Sequence, residues 1–111
     1  SEEGRVYARY WLKRLEFAVA YFDAIELVKK AATAEKAAAD AKQKGNQPES
    51  RAKLAEAARQ AAEAQSTAFR AIETFASVAK NQADRGAVAT MAEYVDRPLK
   101  RKAEELRSAA K

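Results

Sequence analysis

Residues 43–49 read Gln43-Lys44-Gly45-Asn46-Gln47-Pro48-Glu49, and this short stretch decides how the chain folds. Gly45 suits the left-handed position that closes a helix. Asn46 with Glu49 three residues on can form a capping box, and Pro48 is tolerated in a first helical turn. One helix therefore ends here and another starts at once. A second break, Lys80-Asn81-Gln82-Ala83-Asp84-Arg85-Gly86, lets Asn81 end a helix and Asp84 begin the next. Together the two breaks predict helices near 5–43, 48–80 and 85–110.

Each segment carries an apolar stripe at helical period. The first runs Trp11, Leu15, Ala18, Phe22 and Ile25. The second runs Leu54, Ala58, Ala61, Gln65, Ala68, Ile72, Phe75 and Ala79, and the third Val88, Ala92, Val95, Leu99, Ala103, Leu106 and Ala110. Folding the first two helices back about residue 46 sets Phe22 against Ile72, Ile25 against Ala68, Leu15 against Ala79 and Ala39 against Leu54. Bulky residues then gather far from the turn, while residues 31–41 and 52–64 are mostly alanine and charge. An antiparallel third helix brings Leu99 and Leu106 to that alanine-rich tip. Pro98 lies inside the third pattern, where it removes a hydrogen bond and crowds the preceding turn, so a kink or short break is expected near Asp96, which could cap the restart. The expected fold is all-α: a single antiparallel three-helix bundle over residues 1–111, with long helices and the third kinked or broken near Pro98.

Composition agrees. The chain has 111 residues, 29 of them alanine, and Leu, Ile, Val and Phe make up only 18. That low share raises the prospect of disorder. Twenty-one basic residues nearly balance 16 acidic ones and nine aromatics are present, which favours a folded helical domain. No Cys and no His occur. Disulfide frameworks, thiol chemistry, His proton shuttles and nearly all transition-metal sites are thereby excluded. With three Gly and two Pro there is little material for phosphate-cradling loops. No catalytic, cofactor-binding or metal-ligating residue is expected, and the chain reads as a non-enzyme. The carboxylates fall instead at exposed ion-pair spacings: Glu26 to Lys30, Glu49 to Lys53, Glu93 to Arg97, Lys100 to Glu104 and Arg101 to Glu105.

No run nears the roughly 18 apolar residues of a membrane span, the longest large-residue run being Phe17 to Phe22 between Glu16 and Asp23. The chain opens almost directly into a helical pattern, as expected of a piece cut from a longer protein.

Two surfaces could carry a function. Arg97, Lys100, Arg101, Lys102 and Arg107, with Arg5, Arg9, Lys13 and Arg14 on the first helix, give a sequence pI near 9.6 and raise nucleic acid or another anion as a partner. Glu104 and Glu105 interrupt the cluster and no aromatics interleave it, so a solvated helix face is the plainer reading. The other surface is aromatic: Tyr7, Tyr10, Trp11, Phe17, Tyr21 and Phe22 crowd into 16 residues. At about 100° per residue the apolar arc of residues 6–28 spans roughly 240°, more than twice an ordinary core-facing stripe. Some of Tyr10, Phe17, Leu12 and Val19 is then left bare for the rest of a parent protein or a second copy, unless the third helix and the N-terminal residues cover it.

Arg9-Tyr10-Trp11-Leu12-Lys13-Arg14-Leu15-Glu16-Phe17, and Asp84-Arg85-Gly86 followed by Tyr94-Val95-Asp96-Arg97-Pro98-Leu99, resemble the helical region downstream of the catalytic-type barrel in large bacterial glycoside-hydrolase-like proteins, many of them secreted. The resemblance covers most of the chain in layout and these motifs in sequence. It implies an accessory module of a carbohydrate-active protein, secreted or periplasmic, with the catalytic residues elsewhere in the parent chain. A spectrin-type repeat is similar in length, helix number and early Trp, and the likeness ends there. The expected function is a non-enzymatic docking or spacer module, with anion binding through Arg97–Arg107 as the alternative.

Overall fold

In a computed structural model, residues 1–78 and 82–111 are described, residues 82 and 83 by backbone alone. No strand occurs among them. Helix α1 (Glu2–Gln43) and helix α2 (Gln47–Ala76) form an antiparallel hairpin; α3 (Gln82–Met91) and α4 (Arg97–Ala109) make the third helix, joined by a π-helical turn at Ala92–Asp96. The molecule is a rod of 65 × 20 × 16 Å, its length that of α1, since 42 residues span about 63 Å.

Local chemistry sets the ends. Ser1 Oγ accepts from the Gly4 amide and starts α1 three residues before the expected boundary. At the turn, Gly45 sits at φ 79°, its amide donating to the Lys42 carbonyl and the Asn46 amide to that of Ala41. This pair of bonds is a Schellman closure, satisfying carbonyls the helix end leaves open. Asn46 then caps α2. Its Oδ1 accepts from the Glu49 amide at 3.1 Å and its Nδ2 donates to the Glu49 carboxylate at 3.0 Å.

The hairpin core is an alanine seam. In α2 the inward positions are Leu54, Ala57, Ala61, Ala64, Ala68, Ala71 and Phe75, alternating steps of three and four, and Val78 continues the series in the turn just past the helix end. In α1 the matching set is Tyr10, Lys13, Phe17, Ala20, Ala24, Leu27, Ala31, Ala34, Ala38 and Ala41. Such a 3.5-residue period marks a left-handed coiled coil, and small side chains permit interaxial distances at the short end of the 8–10 Å range. Among the described residues, twelve of the sixteen buried apolar ones are alanine. Buried Ser50 pins the register near the turn, its hydroxyl donating to the Ala38 carbonyl at 2.9 Å. At the other end the Phe17 and Phe75 rings pack with centroids 5.4 Å apart.

This seam differs from the expected first stripe. Trp11, Leu15 and Phe22 face solvent, so the pairs drawn through Phe22 and Leu15 do not form, and Ala39 is exposed as well. Ranking faces by side-chain bulk selected the wrong side of α1, because its partner surface is alanine and accepts alanine. The expected partner of Leu15, Ala79, lies outside the described residues, as does Asn81. The third stripe holds throughout: Ala103 and Leu106 are buried, and Val88, Ala92, Val95, Leu99 and Ala110 are half-buried. Leu106 fills the tip against Ala31, Ala34, Ala57, Ala58 and Ala61.

The interruption expected near Pro98 takes the form of the π turn. One wide turn ahead of the ring relieves its crowding of the preceding carbonyl, with the Arg97 amide reaching back to Ala92. Asp96 makes no side-chain cap; its carboxylate accepts from Gln65 Nε2 at 2.7 Å instead. Nor do the ion pairs fall at the expected spacings. Glu26 pairs with Lys29 and Lys53 with Glu56, both on exposed surface where such pairs contribute little.

Candidate functional site

The third helix lies along α2, and its backbone nowhere comes within 8 Å, Cα to Cα, of α1 among the described residues. Side-chain ties bridge the gap. Tyr10 donates its hydroxyl to Asp84 at 3.0 Å, and Lys102 Nζ meets Glu35 at 2.9 Å. Between them lies a groove of about 500 Å³, lined by Tyr21, Ile25, Val28, Tyr94, Val95 and Leu99 among others.

The outer side of α1 is the more distinctive surface. Leu12, Leu15, Val19 and Phe22 expose 55%, 63%, 63% and 67% of their area. With Ala8 ahead of them they step 4-3-4-3, so the first half of α1 has a second seam in heptad register. It lies roughly 150° around the helix from the alanine seam, on the side turned away from α2. Trp11, with Tyr7 edge-on to it at 6.2 Å, flanks this strip. The strip runs about 21 Å from Ala8 to Phe22 and ends where Glu26 takes the next heptad position.

Of the four residues singled out from sequence, Leu12 and Val19 therefore lie on the bare face. Tyr10 and Phe17 turn inward and are half-buried. Phe17 stacks on Tyr21 at 5.7 Å as well as packing on Phe75. Arg14 closes this end of the bundle, its guanidinium 5.2–5.7 Å from the Trp11, Tyr10 and Phe75 rings, within cation–π range. Leu15 and Phe22 were missed as surface residues. The repeats Ala24-Ala31-Ala38 and Ala57-Ala64-Ala71 were the signal that could have found them, since two alanine rows seven residues apart fix the inner face of both helices.

The basic residues of α4 are all exposed, but the helix divides them. Arg97, Lys100, Arg101 and Arg107 fall on one side with Glu104 among them, whereas Lys102 points toward α1 and is tied to Glu35. Among the described residues no three Asp or Glu stand close enough to hold a metal ion, and no helix is long and apolar enough to cross a membrane. Comparison with protein-family models, curated proteins and solved structures finds no match to this chain.

Proposed function

We propose that the chain is a non-enzymatic helical module of a larger bacterial protein, which docks through the outer face of α1 while its 65 Å length acts as a spacer. The observation that carries this reading is the second heptad seam. A solvated helix face has no physical need for Leu12, Leu15, Val19 and Phe22 at seam spacing, and burying such a face is favourable. The resemblance of the Arg9–Phe17 and Tyr94–Leu99 motifs to the helical region of glycoside-hydrolase-like proteins supports a bacterial parent active on carbohydrate. The test is the native reading frame. A long coding region upstream of Ser1 is expected, with a thiol placed at Leu12 reacting more slowly with maleimide in the parent than in this chain. A start codon within a few residues of Ser1, or equal reactivity, refutes the module.

One observation favours the alternative, an anion-binding helix: Arg97, Lys100, Arg101 and Arg107 share a face of α4. Neutralising phosphates with them would give binding that falls steeply with salt. A gel shift that disappears in the Arg97→Glu/Arg101→Glu variant is the result this alternative requires.

A further inference from the structure

We infer that the partner of the outer α1 seam is a second copy of this chain, paired antiparallel about a two-fold axis near residue 17. The inference rests on the docking reading above and specifies its occupant. It comes from register and charge. In an antiparallel heptad pair the two kinds of seam position meet across the axis, so paired residue numbers share a constant sum. Adding to 34, Leu12 meets Phe22 and Leu15 meets Val19, each pair twice, and all four exposed bulky residues find apolar partners. One heptad either way fails. A sum of 27 sets Phe22 on Arg5, and a sum of 41 sets Leu15 on Glu26 and Leu12 on Lys29.

The flanks agree with the same register. On one side Arg9 of each copy lies next to Asp23 of the other, giving two opposite-charge pairs. On the other side Trp11 meets Ile25, and Ala18 meets Ala18 at the axis. Glu16 meets its own copy, but each Glu16 carboxylate is already held by Lys13 at 3.1 Å. The apolar area suffices for a modest dimer. Trp11 and Phe22 alone, at 45% and 67% exposure, offer on the order of 220 Å² per copy, and the two leucines and Val19 add to it, against about 800 Å² per partner in a standard interface.

The chain contains no Cys, so an introduced thiol reports without background. In Ala18→Cys, mild oxidation is expected to give a disulfide-linked dimer, whereas Ala39→Cys, exposed on the far half of α1, stays monomeric. Sedimentation equilibrium from about 10 μM to about 1 mM should show a reversible dimer, weakened at least about tenfold by Val19→Asp. Circular dichroism checks that this exposed substitution leaves the fold intact. Arg9→Glu should weaken the dimer about tenfold by replacing attraction with repulsion at both symmetric sites, and Arg9→Glu/Asp23→Arg should restore it. A chain that stays monomeric throughout, or a dimer indifferent to Val19→Asp, overturns self-association. So does a double charge reversal as weak as the single one. The maleimide comparison is read at chain concentrations far below those at which the dimer forms, where the seam of the isolated chain is bare, so failure of the dimer and failure of the docking face are separate results.

Discussion

Replacing Ala57 by Leu should destabilise the protein, although leucine is the usual choice for a coiled-coil core and better buried per residue. Ala57 is 0% exposed and packs among Ala31, Ala34, Ala58 and Ala61. Three added carbons would yield about 2.4 kcal/mol if room existed, at about 0.8 kcal/mol per methylene. Room does not exist, so α1 and α2 must separate, and a gap of about 0.5–1 Å forfeits a quarter to a half of each contact well on both sides of the seam. Summed over about ten neighbouring alanine methyls, that loss is about 2–4 kcal/mol. The balance is a net destabilisation of up to about 1.6 kcal/mol, reaching the lower part of the range seen for overpacked cores. Urea denaturation followed at 222 nm measures it, with Ala39→Leu on exposed surface expected to stay within about 0.5 kcal/mol of the parent. An Ala57→Leu midpoint at or above that of the parent would refute the claim that alanine sets the helix spacing.

Other outcomes follow from the same structure. Leu106→Ala removes one of the four large side chains buried among the described residues and should cost about 2–3 kcal/mol, the low end for such truncations because an opening of about 90 Å³ beside it lets the site relax; a loss under about 1 kcal/mol in thermal or urea unfolding would show the tip is not packed. The two helix-punctuating glycines should respond oppositely to alanine. Gly86→Ala, in α3 with open space around the added carbon, should stabilise by about 0.5–1 kcal/mol, and Gly45→Ala, at φ 79°, should destabilise by about 1 kcal/mol; equal signs in paired melting curves would contradict the turn geometry.

The first break and the third stripe were legible because they depend on local chemistry and on bulk, whereas the second break was legible only in its place: α2 ends at Ala76 rather than 80, and α3 starts at Gln82, so Asp84 lies inside the helix, where its carboxylate accepts from Tyr10 instead of starting the helix. Gly45, Asn46 and Glu49 act within a few residues, and Leu99, Ala103 and Leu106 stand out from a charged background. The phase of α1 was not legible in the same way. Its largest residues form one 3-4 pattern and its alanines another, and each alone is a valid amphipathic helix. Only the demand that α1 match the alanines of α2 chooses between them. Tyr10 and Phe17 stand among the candidates for the bare face for the same reason, although they share the phase of Ala24 and Ala31. Asp96 is a possible cap by its position alone, and the pull of Gln65, 31 residues away, has no local trace.

The uniformity of the alanine seam bears on how this protein could change length. From Ala31 to Ala41 every seam position of α1 is alanine, and Ser50 clasps Ala38 there. Seven residues added to α1 and seven to α2 at facing positions would carry the turn outward by about 10.5 Å and return every side chain to its own face. The aromatic end, with Arg14 over its rings and the outer seam beside it, would not register the change. Reach and attachment are thus separable properties here, adjustable in whole-heptad steps without redesigning what the far end holds.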